Sequence, residues 1–382
     1  MTPKDMLTNP HFCPMPWTGI MYNFDGSVKN CIRSDFAKPI GNIKNNTIEE
    51  IVTGAENIAR QQQIVDQQPV PSCHTCKDLE RGKPGFDIIS DRIFDIKELK
   101  QVPPATYQVG NFDLNTVDVR WSNLCNFSCV YCVPKFSSRW AEELKVTIDQ
   151  PSDEQKQQFR DYIYKNAKQL KHVYLAGGEP LLMKENLELL SRLNPDVSLR
   201  INTNLSKTDT KIFETVCKFK TVHWTVSAES QNQEYEYIRH GGVWSDFLSN
   251  LDIIKQSGHK ISFNMLWFLL NYNSVFDFVK AMQDRGFHNN SFIIGAMISP
   301  LHLNIRHLPQ HVLHSLSEKL KRCIAEKPGH LLEDSYQNML HYIQQPFEKN
   351  LKNSFAELSK LDQRRGLDSK EIFKELYNLK ED

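Results

Sequence analysis

The stretch LCNFSCVYC at 124–132 constrains this chain more than any other feature, because it sets three cysteines at C-x3-C-x2-C on one short loop. Three thiols are a poor number for disulfides. A tetrahedral zinc site would need a fourth ligand, and the loop holds no histidine. An iron–sulfur cube normally takes four cysteine thiolates, so a loop supplying three leaves one iron open to bind something that reacts.

The rest of the chain says where such a loop would work. The N-terminus, MTPKDMLTNPHFCP, has no apolar core of a secretory signal, and the longest apolar run, MLWFLL at 265–270, is far too short to span a bilayer. A cytoplasmic protein is therefore expected, and its nine cysteines read as metal or catalytic residues rather than a disulfide framework. Forty-six basic and 46 acidic residues cancel, which gives no footprint for nucleic acid or an anionic membrane.

From residue 116 onward short apolar runs alternate with helical patterns. Strands are expected at 117–122, 172–178, 198–204, 222–228, 260–267 and 291–297, with helices near 153–168, 183–192, 208–218, 244–257 and 274–285. Alternating βα units imply a parallel sheet with right-handed crossovers. Six strands are fewer than the eight of a closed TIM barrel, so the fold expected is α/β, a partial (β/α)6 barrel. Three segments follow: a cysteine-rich domain at 1–98, the barrel at 111–300, and a C-terminal helical cap at 301–382. KQVPPATYQVG at 100–110 reads as the linker between the first two, since Pro-Pro disfavours helix and sheet alike.

Cys125, Cys129 and Cys132 directly follow the first barrel strand, at the mouth where barrel sites are built. Together with GGEP at 177–180, one strand later, they resemble the radical S-adenosylmethionine (SAM) superfamily. The resemblance implies a [4Fe–4S] cluster on those three cysteines, with SAM on its open iron, cleaved to a 5′-deoxyadenosyl radical that abstracts hydrogen from a substrate. It places Tyr131 against the adenine, and Gly177, Gly178 and Glu179 at the SAM ammonium group. Asn204, with Asn202 and Thr203, ends the third strand, and Ser227 and Glu229 end the fourth; all are site candidates by position. The resemblance gives Ser227 the ribose and Arg239, twelve residues on, the SAM carboxylate. The alternative for Arg239 is a surface ion pair with Glu234 or Glu236.

Cys13, Cys31, Cys73 and Cys76 form a second set, with Gly26 five positions before Cys31 and a closing C-x2-C. Spacing alone leaves these open between a zinc ribbon and an iron–sulfur cluster. The pattern resembles SPASM/twitch auxiliary-cluster domains, which implies a fully ligated auxiliary [4Fe–4S] cluster serving electron transfer or structure. The domain precedes the barrel here, whereas in better-known members it follows.

The resemblance thus implies a radical SAM oxidoreductase, fed by a reductant such as flavodoxin or ferredoxin. Twelve residues precede Cys13, which favours a small-molecule substrate (a sugar, aminocyclitol or nucleotide) over a leader-guided peptide. The alternatives are a SPASM-type maturase of ribosomal peptides, and a non-catalytic iron–sulfur carrier or zinc-ribbon binding protein. Cys217, at helical spacing from Phe213, reads as a small buried hydrophobe, and Cys323 as a helix residue. The run HLPQH at 307–311 reads as a helix entry rather than a metal site, and Trp224 and Trp267 as core.

Overall fold

In the computed structural model the described residues are 8–35, 37–80, 90, 92–93, 96, 107–326 and 331–379. They divide into two compact units, Met1–Leu124 with Val146–Ile201 and Thr210–Val222, and Cys125–Lys145 with Asn202–Asp209 and His223–Asp382.

The first unit begins with a hairpin. Strand β1 (Gly19–Tyr22) pairs antiparallel with β2 (Ser27–Lys29), and β2 with β3 (Gly41–Asn42). The NFDGS turn between β1 and β2 follows from its residues. Asp25 Oδ1 accepts from the Ser27 amide at 3.0 Å, and Gly26 takes φ +88°, a left-handed backbone that glycine adopts without steric cost. On its other side β1 runs parallel to β4 (Thr116–Val119), and β4 is followed in parallel by β5 (His172–Leu175) and β6 (Ser198–Thr203). The cysteine-rich segment therefore joins the edge of the same sheet. Helix Asp153–Asn166 starts on a reciprocal capping box, Ser152 with Gln155, which satisfies two otherwise orphaned donors. A satellite core of Phe12, Trp17, Ile64, Val70, Ile96 and Tyr107 packs against Cys13 and Cys73. Trp17 Nε1 donates to the Gln108 carbonyl at 2.8 Å, so residues 107–108 are held in that core rather than free as a linker; 101–106 lie outside the described residues.

In the second unit β7 (Thr221–Ser227), β8 (Lys260–Trp267) and β9 (Phe292–Ala296) pair in parallel. Helices Trp244–Gln256 and Ser274–Asp284 form the crossovers, and Trp224 and Trp267 are fully buried. Counted with β4 to β6 of the first unit, these are the six βα strands of the α/β partial-barrel class, each within a few residues of its sequence expectation. Helices Gln310–Glu326, Leu331–Ile343 and Leu351–Arg365, followed by the short Ser369–Ile372 and Lys374–Tyr377, form the helical C-terminal region. His307 is structural: Nε2 meets the Leu301 carbonyl at 2.9 Å, and Nδ1 accepts from the Asn350 amide at 2.9 Å. No helix among the described residues is long and apolar enough to cross a membrane.

Candidate functional site

The 125–132 loop has no regular secondary structure, so its backbone groups must find partners elsewhere. Ser128 N–H donates to the His240 carbonyl at 2.9 Å and Val130 N–H to that of Ile238 at 2.8 Å, laying the loop along 238–240. Ser137 caps helix Ser138–Leu144 and also donates to the Phe127 carbonyl at 2.6 Å. Trp140 Nε1 donates to the Cys129 carbonyl at 2.7 Å. From the C-terminal helix, Arg365 donates to the Ser128 carbonyl at 2.8 Å, ion-pairs with Glu143 at 2.9 Å and lies 4.4 Å over the Trp140 ring. Nothing in the sequence spacing points to Arg365, which lies 237 positions from Ser128.

Two donors face the thiols. Asn204 Nδ2 lies 3.9 Å from Cys125 Sγ, and Arg239 Nη1 lies 4.0 Å from Cys129 Sγ. Arg239 is buried and paired with Glu229: Nη2 is 2.7 Å and Nε 3.2 Å from Oε2. Its partner is thus neither Glu234 nor Glu236. Glu234 accepts from Ser230 and Ser274, and Glu236 accepts from the Trp244 amide, so both carboxylates are engaged elsewhere. The guanidinium lies 5.7 Å from the centre of the Tyr131 ring, which in turn meets the edge of Phe268. Burial works against the Arg239 charge, but Glu229 overrides it and the pKa stands well above the ordinary value. Glu229 Oε1 is buried with no hydrogen-bond partner among the described residues. Burial raises the Cys129 thiol, and burial followed by the neighbouring Cys129 pushes Cys132 up to about 12. A cluster bound by these thiols would have to drive off their protons. Ser227 ends β7, in register with Asn264 of β8.

GGEP belongs to the first unit, and both glycines are dictated by close approach. Gly177 takes φ +114°. A Cβ on Gly178 would lie 2.1 Å from the Leu124 carbonyl oxygen, a rigid backbone atom. Glu179 N–H donates to that same oxygen at 2.7 Å, and the buried Glu179 carboxylate accepts from the Leu181 amide at 3.1 Å.

The four N-terminal cysteines face one cavity of about 230 Å³, with His11, Lys77 and Arg92 also in its wall. Arg92 holds this wall by pairing with Glu80 at 2.5 Å and donating to the Phe12 carbonyl at 2.8 Å. Burial raises the Cys73 thiol. His11 Nδ1 is buried with no hydrogen-bond partner among the described residues, a polar atom that sequence reasoning missed. His74 is mostly exposed and 3.6 Å from Asp78, at the rim. Among the described residues no three His, Cys, Asp or Glu side chains draw together tightly enough to hold a single metal ion. Four thiols, an orphaned ring nitrogen and nearby cations around one cavity fit an anionic iron–sulfur group in their chemistry. The expectation for Cys217 fails: it follows helix Lys211–Val216 on the solvent side and is exposed, while Val216 takes the buried position.

Residues 119–282 match the sequence model of the radical SAM superfamily, and residues 13–77 match that of SPASM, an iron-sulfur cluster-binding domain. No curated protein matches. Among solved structures the chain is similar to "Native anSMEcpe with bound AdoMet", at 16% identity and TM-score 0.41, over 60% of this chain and 62% of that one. It is also similar to Streptococcus suis SuiB bound to precursor peptide SuiA, at 15% identity and TM-score 0.40, over 60% and 52% of the two chains. The chain thus spans less than two thirds of the length of either. At these scores the likeness carries no conclusion about substrate.

Proposed function

Because the chain is a radical SAM superfamily member with a SPASM domain on its N-terminal side, we propose that it is an enzyme removing hydrogen from an unactivated C–H bond of a polypeptide substrate, with oxidation through an auxiliary cluster. When bound, SAM and the [4Fe–4S] cluster supply the 5′-deoxyadenosyl radical that such chemistry needs. The observation carrying this reading is the three-thiol loop with Asn204 and Arg239 aimed at its sulfurs, in a chain that also rings a cavity with four thiols.

Each residue has a role in the proposal. Cys125, Cys129 and Cys132 hold the cluster, with Asn204 and Arg239 stabilising thiolate charge by N–H donation. Arg239 offers its remaining fork to the SAM carboxylate while Glu229 fixes its plane; Tyr131, Ser227 and the backbone of Gly177, Gly178 and Glu179 bind the rest of SAM. Cys13, Cys31, Cys73 and Cys76 hold the auxiliary cluster. The division 1–98, 111–300 and 301–382, the cytoplasmic setting and a flavodoxin- or ferredoxin-type reductant belong to the same proposal.

We take the polypeptide reading over the small molecule that the sequence favoured because the SPASM match at residues 13–77 meets the expectation stated for the SPASM-type maturase alternative. The test is anaerobic reconstitution and chromatographic assay of 5′-deoxyadenosine with SAM and a strong reductant. Cys129→Ala should abolish that product, whereas Cys76→Ala should spare SAM cleavage and stop substrate turnover. Retained cleavage in Cys129→Ala would refute the mechanism. Turnover of sugars or nucleotides but of no peptide would restore the small-molecule reading.

A further inference from the structure

We propose that His11 is a positioning residue that donates a hydrogen bond through Nδ1–H to the group held by Cys13, Cys31, Cys73 and Cys76, and thereby raises its reduction potential. The inference rests on the reading of those four cysteines as an iron–sulfur site. His11 lines the same cavity as all four thiols. Its Nδ1 is buried and finds no partner among the described residues, although a buried polar nitrogen is normally paired. The backbone around it is fixed: the His11 amide donates to Asn9 Oδ1 at 2.9 Å, and Asn9 Nδ2 donates to the Ile64 carbonyl at 2.8 Å. The imidazole is therefore anchored at a wall of cysteines with one donor or acceptor unspent. Facing anionic sulfurs, that nitrogen is useful only as a donor.

Hydrogen bonds to cluster sulfurs stabilise the reduced, more negative form and raise the potential. Lys77 and Arg92, in the same wall, act in the same direction by charge. A raised potential suits a site that accepts electrons rather than one that reduces SAM.

The test uses the full chain carrying Cys125→Ala, Cys129→Ala and Cys132→Ala, so that only the N-terminal site holds iron. Its midpoint potential is read by EPR-monitored redox titration, with iron, sulfide and zinc counted in the same samples. His11→Phe should lower the potential by a factor of about ten in the reduction equilibrium, or 59 mV for one electron. His11→Asn, whose amide nitrogen can stand where Nδ1 stands, should return it toward the parent value. An unchanged potential in His11→Phe at full iron load would overturn the proposal while leaving the cluster reading intact. Zinc in place of iron in the parent would overturn both, through metal content rather than potential. Should His11→Phe fail to load iron, pulsed EPR on the parent labelled with 15N-histidine, in a His74→Ala background, decides instead. Nitrogen coupling to the reduced cluster supports the bond, and its absence removes it.

Discussion

Replacing Arg365 with Met tests whether the C-terminal helix holds the three-cysteine loop in place. The side chain is 2% exposed and makes three contacts at once: the Glu143 carboxylate, the Ser128 carbonyl and the Trp140 ring. Met keeps most of the apolar stem, so the loss is the charge and its hydrogen bonds. Breaking a buried ion pair from one side costs about 3–5 kcal/mol, because the surviving charge is stranded. Glu143 is 16% exposed and has Arg364 at 3.6 Å as a second cation, which puts the cost at the low end, about 3 kcal/mol. Removing both partners, Arg365→Met with Glu143→Gln, strands no charge and should recover about 1–2 kcal/mol relative to the sum of the single changes. The assay is urea unfolding of the anaerobic apoprotein at pH 7, with iron per chain measured after reconstitution. A cost below about 1 kcal/mol, the worth of an exposed pair, would refute the strap, as would strict additivity in the double variant.

The same pair gives a pH signature. Burial pushes the Glu143 carboxyl up, but the Arg365 hydrogen bonds outweigh it and hold the pKa below its ordinary value. A depressed carboxylate contributes stability that is fully present above its unfolded pKa and lost as pH falls through the folded one. The stability gap between the parent and Glu143→Gln, measured by denaturant melts, should therefore stay constant near neutrality and close in acid, below about pH 4.5. Gly178→Ala should destabilise the chain by about 1–3 kcal/mol, since its Cβ would overlap the rigid Leu124 carbonyl; a neutral outcome in the same melts would discredit that packing. Arg239→Lys keeps the charge but loses the planar fork, so equilibrium dialysis of reconstituted protein should show SAM affinity falling about tenfold, or 1.4 kcal/mol.

What the sequence made legible was what repeats along it. The β4 to β9 strands carried apolar runs bounded by turn residues, and the cysteines stood at fixed spacing, so both could be located without coordinates. Contacts set by distant segments left no such mark. Strand β1 is four residues long and finds β4 almost a hundred positions away, with Gly19 opposite Thr116. For Arg239 the spacing offered Glu234 and Glu236 as ion-pair alternatives, because neighbours on one helix look nearer than a strand end, and it gave no sign of the pairing with Glu229. Cys217 went the other way: helical spacing marks a face without saying which face is inward. His11 and Arg365 have no motif around them at all; an orphaned nitrogen and a clamped carbonyl are visible only in three dimensions.

The Arg365 clamp also sets an order of events during synthesis. Cys13, Cys31, Cys73 and Cys76, together with the Arg92 that braces their cavity, leave the ribosome early. Ser128, in the middle of the other loop, waits 237 residues for its cation. At about 5–20 residues per second that delay is roughly 10–50 s. The two sets of thiols are thus completed at different times: the N-terminal set is whole in sequence early, whereas the 125–132 loop gains its clamp only once residue 365 has emerged. A chain shortened before that point would be expected to load the first site and hold the second poorly.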